Sequence, residues 1–274
     1  MRYLTVVFSF MLLAVSCQKN AITGRSQLIL LDEGQLQQMA NTEYRSFLTK
    51  NKVIAQGGSK DQQMVTRVGN NIARAVERFV AEQGKSDLLK GYQWEFNLVD
   101  SKEVNAWCMP GGKVVVYTGL LPVAQNDAGL AVVMGHEVAH AVARHGNERM
   151  SQGLAQQLGG VALSVAVMNK PAETQALFMD AYGIGSTLGG TLPFSRKHEL
   201  EADRFGLIFA AMAGYDPREA PAFWERMAKM SSGQKPPEIF STHPSDETRI
   251  AKVREYAQEA MKYYKPAGNQ PVNK

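Results

Sequence analysis

The sequence predicts an α+β protein, mostly helical, with a small antiparallel sheet beside a buried helix. Apolar residues recur at helical spacing over much of the chain, and they alternate with polar residues over 92–99. Residues 134–140 set two histidines and a glutamate among apolar neighbours, as on a helix inside a core. The 274 residues suit one domain with a sizeable core. We therefore predict a single domain over 17–264.

Residues 1–16 have the features of a targeting signal. Arg2 is followed by an apolar run too short to span a bilayer comfortably, and the small residues Ala14 and Ser16 precede Cys17. Two interpretations are open: lipidation of Cys17 as the first residue of a bacterial lipoprotein, which we favour, and ordinary cleavage that leaves a free cysteine. Because Gln18 replaces the aspartate that retains lipoproteins in the inner membrane, we expect an outer-membrane anchor facing the periplasm.

Two amphipathic helices are predicted within residues 33–83. Their apolar residues fall into stripes at helical spacing, with charged residues on the other faces. Such stripes are core faces far more often than cofactor sites, so we assign them no chemistry.

The alternating pattern over 92–99 predicts a half-buried strand. Residues 104–109 and 113–118 predict two more strands, joined through a proline and two glycines, which completes a sheet over 92–118. Cys108 lies among apolar residues and is expected to pack; the alternative is a thiol metal ligand. With Cys17 lipidated, the mature chain has one cysteine, which excludes an internal disulfide.

A helix over 127–147 is predicted to carry the chemistry, with Gly146 near its end or at a bend. Residues four apart share one helix face, so His136 and His140 can reach one metal ion. Glu137 projects beside them, where it can accept a proton from a metal-activated water and pass it to a leaving amine. These ligand types suit zinc, and we expect one Zn²⁺ per chain.

A catalytic zinc has three protein ligands and an open position, so a further donor is needed. On a second helix over 195–212, Glu199 and Asp203 share one face, while Glu201 points nearly the opposite way. We expect Glu199 to bind the metal and Asp203 to accept the other ring N–H of a ligand histidine. Glu201 and Arg204 are expected on a solvated face.

These two segments resemble peptidase family M48, the gluzincins that include the CaaX prenyl endopeptidases, and most of all its soluble bacterial envelope branch. The remaining matching segments are residues 23–28, 105–107 with 110–112, 117–121, and 242–245 with Arg249. Together they span almost the whole mature chain. The resemblance implies a zincin-like metallopeptidase fold. No internal repeat is visible, so no helical-repeat appendage is expected.

The resemblance also implies roles for residues outside the two helices. It places His243 near the metal, where it stabilises an oxyanion or takes the open zinc position; the alternative is a loop histidine that caps the next helix. It makes Asn105 and Ala106 candidates for an edge strand that binds the substrate backbone; the alternative is a plain hairpin.

For the other parts of the chain we predict structure but no chemical role. Residues 183–192, rich in glycine, are expected to form a flexible link or a lid. Helices are expected over 216–264, with Asp216 as the first cap, and a disordered tail over 265–274. His145 and His198 are assigned to the surface or to helix ends.

The predicted function is a zinc endopeptidase of the bacterial envelope, anchored at Cys17, which acts on unfolded or misassembled envelope polypeptides. That substrate class rests on the resemblance. The alternative is a lipoprotein chaperone or assembly factor whose zinc site is structural or closed by His243. The formal charge of +4 is modest and spread along the chain, which gives no reason to expect nucleic-acid binding.

Overall fold

Helices pack against both faces of a small sheet in the computed structural model, which describes residues 17–158, 171–182, 184, 195–231, 239, 243 and 247–266. The helices are α1 (Glu33–Lys50), α2 (Lys60–Glu82), α3 (Leu121–Ala124), α4 (Asp127–Val142), α5 (His145–Leu158), α6 (Pro171–Ala181), α7 (Arg196–Met212), α8 (Glu219–Ser231) and α9 (Glu247–Ala260). Single 3₁₀ turns occur at Ser86–Leu89, Thr118–Leu120 and Met261–Tyr263. The described part is thus mostly helical, as predicted.

The N-terminal hairpin pairs β1 (Cys17–Lys19) with β2 (Ser26–Leu28) in antiparallel register. Asn20 organises its turn, because its side-chain oxygen accepts hydrogen bonds from the backbone N–H groups of Ile22 and Thr23. The amide group of Asn20 donates to the carbonyl of Ala143, 123 residues away in sequence. The hairpin is therefore fastened to the end of α4.

The main sheet contains β3 (Glu95–Val99), β4 (Ala106–Met109) and β5 (Lys113–Tyr117) in the order β3-β5-β4. The β4–β5 hairpin is antiparallel, as predicted, but β3 pairs with β5 in parallel, so the sheet is mixed. This arrangement follows from the turn at Gly111 and Gly112, which both adopt positive φ and return the chain alongside β4. Strand β5 therefore lies between β3 and β4 and runs parallel to β3.

One helix prediction needs correction, and two other predictions lie mostly outside the described residues. The helix predicted over 127–147 ends at Val142, since Arg144 adopts a left-handed φ of 56° and a separate helix begins at His145. Most of 183–192 and the tail beyond residue 266 lie outside the described residues. None of the described helices combines the length and apolarity needed to cross a bilayer.

Helices α4 and α7 approach each other at backbone contact. A Cβ atom placed on Gly206 would lie 2.7 Å from the backbone nitrogen of His136, and one on Gly135 would lie 2.6 Å from the carbonyl oxygen of Gly206. Both distances are too short for a side chain, so the pair of glycines sets how closely the two helices pack. That spacing decides where residues on facing sides of the two helices meet.

We expect Gly206→Ala to destabilise the protein, because the added methyl group meets helix backbone that cannot move independently. The cost should be about 1–3 kcal/mol of unfolding free energy, the usual range for overpacking a core. Urea denaturation measures it. The control is Gly34→Ala, where the added Cβ atom meets only the side chain of Asp32 at 3.0 Å. Equal stability of the two variants would contradict the backbone contact.

Candidate metal centre

Helix α4 carries the first three residues of the site. Its N-cap, Asn126, accepts a hydrogen bond from the backbone N–H of Gly129 at 2.8 Å, which fixes where the helix begins. His136, Glu137 and His140 then fall inside the core, with relative exposures of 1%, 3% and 4%. A helix surrounded by apolar groups does not bury three such side chains unless they satisfy one another or a ligand.

Helix α7 brings the predicted Glu199 to the two histidines. Its N-cap Ser195 accepts from the backbone N–H of His198, and the first turn then directs Glu199 inward. Oε1 of Glu199 lies 3.4 Å from Nε2 of His140, and its Oε2 lies 3.5 Å from Nε2 of His136. The two imidazole Nε2 atoms are 3.0 Å apart. The structure therefore brings the three predicted ligands to one point.

His243 contributes a fourth donor atom. Its Nδ1 lies 3.3 Å from Nε2 of His136 and 3.0 Å from Oε1 of Glu199, and its side chain is buried. All four donor atoms lie within 4.8 Å of one another. The neighbouring residues 240–242 and 244–246 lie outside the described part of the chain.

The spacing of the four donors fits zinc. In a tetrahedral zinc site with bonds of roughly 2.0–2.1 Å, neighbouring donor atoms are about 3.3 Å apart. The five donor separations given above run from 3.0 to 3.5 Å. Two or three imidazoles with one carboxylate are also the donor set that zinc takes. The residues present therefore fit one Zn²⁺ ion.

Glu137 lies beside this group and is aimed at it. Within the described part of the chain, its buried Oε1 atom has no hydrogen-bond donor, and Nε2 of His243 lies 3.7 Å away. Burial raises the pKa of Glu137 above its ordinary value, while the nearby imidazoles oppose the shift. A carboxylate whose acceptor atom is open beside the donor group is placed to take a proton from a water held there.

Asp203 and Arg249 form the layer behind His136. Oδ1 of Asp203 lies 3.0 Å from Nδ1 of His136, so Asp203 stands next to the ring that it was predicted to orient. Arg249 donates to both oxygens of Asp203 and lies 2.7 Å from Oε2 of Glu199. Burial opposes ionisation of both carboxyl groups, but Arg249 holds their pKa values below the ordinary range. The guanidinium also sits over the Trp224 ring, 4.0 Å from its centroid.

His145 and His198 lie at helix starts, one of the two predicted positions, but they are not at the surface, and the solvated face predicted for Glu201 is wrong. His145 and His198 are buried, with exposures of 0% and 2%, and the side chain of Glu201 is only 15% exposed. Glu201 contacts His145 and Arg25, while His198 contacts Glu148. Helical spacing within α7 placed Glu201 away from the metal correctly, but it could not show that the N-terminal hairpin covers that face. Arg204, in contrast, is exposed and pairs with Glu259.

The remaining predicted residues lie at the margins of the site. Asn105 directly precedes β4 and Ala106 begins it; both are buried, and β4 is one of the two edge strands of the main sheet. Cys108 is buried in the same strand and does not belong to the group of four donors. Burial raises the pKa of its thiol well above the ordinary value, as expected for a packing residue. Cys17 begins β1.

Comparison with known proteins gives consistent matches. The model of Peptidase family M48 matches residues 67–257. The mitochondrial metalloendopeptidase OMA1 of Arabidopsis thaliana is 43% identical over 161 residues, covering 59% of this chain and 31% of that protein. Human OMA1 is 34% identical over 268 residues, covering 94% of this chain and 48% of that protein. The beta-barrel assembly-enhancing protease of Escherichia coli is 34% identical over 169 residues, covering 60% and 34% respectively. This chain therefore spans about a third to a half of the length of these relatives.

Proposed function

This chain belongs to peptidase family M48, and we propose that it cleaves internal peptide bonds as a zinc metalloendopeptidase. One observation carries the proposal: the buried donors of His136, His140 and Glu199 meet at zinc-binding distances, with the open acceptor atom of Glu137 beside them. Glu137 is not one of the four grouped donors. A zinc ion with a purely structural role would therefore not need a carboxylate at this position.

Each side chain has a distinct role in this proposal. His136, His140 and Glu199 hold the ion, which, when bound, polarises a substrate carbonyl and makes water reactive near neutral pH. Glu137 accepts the proton of the attacking water at Oε1 and then delivers it to the leaving amine, as general base and acid. Asp203 orients the ring of His136, and Arg249 fixes both carboxylates.

We further propose that His243 closes the site at rest. Its Nδ1 atom stands at donor distance from His136 and Glu199, where a substrate carbonyl or a water would otherwise enter. The competing interpretation, in which His243 stabilises the oxyanion, requires the ring to face the substrate instead of the donor group. The described position favours the first interpretation.

Substrate backbone would add to strand β4. Asn105 bonds to β5 through its carbonyl, which accepts from the N–H of Tyr117. Antiparallel pairing alternates, so the carbonyl of Ala106 and the N–H of Cys108 point away from β5, toward the outer edge. Such an edge binds extended polypeptide with little dependence on side chains, which suits unfolded or misassembled proteins. Since Asn105 and Ala106 are buried, this edge must open before a substrate enters.

The cellular setting is a proposal on sequence grounds. The apolar start and Cys17 favour a lipoprotein at the outer membrane, facing the periplasm, with envelope proteins as substrates. One relative is named for assembly of β-barrels and belongs to a bacterium, whereas the OMA1 relatives are named as mitochondrial. A second candidate function is that of an assembly factor that binds unfolded chains and seldom cleaves them; the donor atom of His243 in the fourth position favours it.

The Glu137→Gln variant tests the mechanism, with casein as substrate and elemental analysis for metal content. We expect the wild-type chain and the variant to hold one zinc each, because Glu137 is not a ligand. Casein cleavage should fall at least about 100-fold in the variant, since removal of a general base commonly costs 10²–10⁴-fold. Full activity of Glu137→Gln would contradict the mechanism. Zinc binding without cleavage by either protein would favour the assembly factor.

The same variant tests the edge strand, because it can hold a peptide without cleaving it. A casein peptide bound as an added strand would slow hydrogen exchange at the backbone N–H of Cys108. The amide of Trp107, which faces β5, serves as the internal control. Unchanged exchange at Cys108 with peptide bound would rule out strand addition.

The His243→Ala variant separates the two roles of His243. Removing a closing ligand should raise the casein cleavage rate several-fold, whereas removing an oxyanion donor should lower it about 10²–10³-fold. Zinc content should stay at one per chain, because three ligands remain. The double variant with Glu137→Gln controls for contaminating protease and should be inactive. A rate equal to that of the wild type would remove both roles.

Lipidation at Cys17 is tested by labelling cells with radioactive palmitate. We expect label in the wild type and in Cys108→Ser, but not in Cys17→Ser, because Cys108 is buried in the folded domain. Label in Cys17→Ser would contradict the anchor. Label in none of the three proteins would indicate ordinary signal cleavage.

A further inference from the structure

A row of buried hydrogen bonds leads from His140 away from the donor group. Nδ1 of His140 lies 2.9 Å from Nδ1 of His145, and Nε2 of His145 lies 3.0 Å from Oε2 of Glu201. Arg25 completes the row, with its Nε atom 2.7 Å from Oε1 of Glu201. These four side chains come from α4, α5, α7 and the N-terminal hairpin. We call them the His140 row.

The hydrogen positions in this row follow from donor counting. Glu201 is held by Arg25 and only accepts, so Nε2 of His145 carries the hydrogen that it donates. A neutral His145 then has a lone pair at Nδ1, and Nδ1 of His140 must carry the hydrogen between the two rings. His140 is left with a lone pair on Nε2, the atom that faces His136 and Glu199. The row therefore fixes the tautomer that binds a metal.

Arg25 is itself held firmly at the far end. It makes a second pair of hydrogen bonds to Glu148, at 2.7 and 2.6 Å, and its side chain is 13% exposed. Glu148 also accepts from Gln27 at 2.9 Å and contacts His198 at 3.0 Å. Arg25 is thus clamped between two carboxylates, and a bidentate clamp of this kind restricts rotation as well as distance.

We propose that His145, Glu201 and Arg25 are positioning residues for the zinc ligand His140. They hold its ring at the angle and in the tautomer that the metal needs. The row is the counterpart of the Asp203 and Arg249 pair behind His136. In both, an arginine fixes a carboxylate, but the carboxylate reaches His140 only through a second imidazole. The hairpin that follows Cys17 thereby becomes part of the metal centre.

The test compares zinc affinities of the full-length chain, measured by competition with a chromogenic chelator. We expect His145→Leu, which keeps bulk but removes the acceptor, to weaken zinc binding about 10–100-fold, the usual cost of losing the group behind a ligand histidine. His145→Asn should recover most of that loss, because its side-chain oxygen can accept from Nδ1 of His140. The rise in melting temperature on adding zinc should follow the same order.

Two further variants guard against a purely structural explanation. Gln62→Leu removes a fully buried side chain that hydrogen-bonds the backbone of Phe96 and Leu98, so it should lower stability and leave zinc affinity unchanged. Glu201→Met removes the acceptor of His145 and should weaken zinc binding, though less than His145→Leu does. Glu201→Met also decides the matter if leucine at position 145 prevents folding.

The outcomes are distinct. Equal zinc affinity of His145→Leu and His145→Asn, or wild-type affinity in Glu201→Met, would overturn the positioning role. The inference rests on the zinc site of the proposed function but not on peptide cleavage. A wild-type chain that binds zinc without cleaving casein would contradict the proposed peptidase alone, and the affinity order would still decide the role of the row. A wild-type chain that binds no zinc would overturn both.

Discussion

Compensation of buried charge is the constraint on which the structure depends. Glu199 and Asp203 are removed from water, and an unpaired carboxylate in such a place costs several kcal/mol. Arg249 contacts both of them from helix α9, about fifty residues further along the chain. Docking of α9 is therefore tied to ionisation of the site. The ion pairs of Arg249 join α9 to α7 and also compensate the charge of Glu199.

Close packing of backbone sets the geometry that this charge balance requires. The donor–donor distances differ by at most half an ångström. The donor atoms belong to side chains of α4 and α7 and to His243. Side chains between two helices would leave room for adjustment, but Gly135 and Gly206 place backbone against backbone. The first residues of α7 are also fixed by the Ser195 cap. Rigid helices thus hold His136, His140 and Glu199, as a metal site needs.

The parts of the site that the sequence predicts are those set by local geometry. His136, Glu137 and His140 follow from the turn of one helix, and Glu199 with Asp203 from the turn of another. The need for a further zinc ligand predicted that the two helices meet. The position of His243 was expected only through resemblance, because no local rule brings residues 137 and 243 together. The fold class is confirmed, while strand orientation in the sheet was open to error because alternation of apolar residues carries no direction.

Sequence reasoning missed the residues that are buried by segments far away in the sequence. His145 and Glu201 look like ordinary helix-surface residues until the hairpin containing Arg25 covers them. The sequence also gives no sign of the helix break before His145, because the break depends on Arg144, a non-glycine residue in a left-handed conformation. Arg25 lay in a segment noted for its resemblance, but nothing in that segment indicated its partners. Such networks become visible only when the three-dimensional contacts are known.

The same packing accounts for how one donor set could serve both cleavage and binding. Closure of the site in 99 of 100 molecules corresponds to about 2.7 kcal/mol, since each 1.36 kcal/mol is a tenfold change in population. In the proposed closed state, the imidazole of His243 and the covered strand edge together would supply that difference without altering any catalytic residue. The site then opens when binding of a substrate strand to β4 releases more free energy than is lost as His243 leaves the donor group. If His243 closes the site as proposed, a chain that offers a long exposed strand opens it most readily, which agrees with the proposed preference for unfolded substrates.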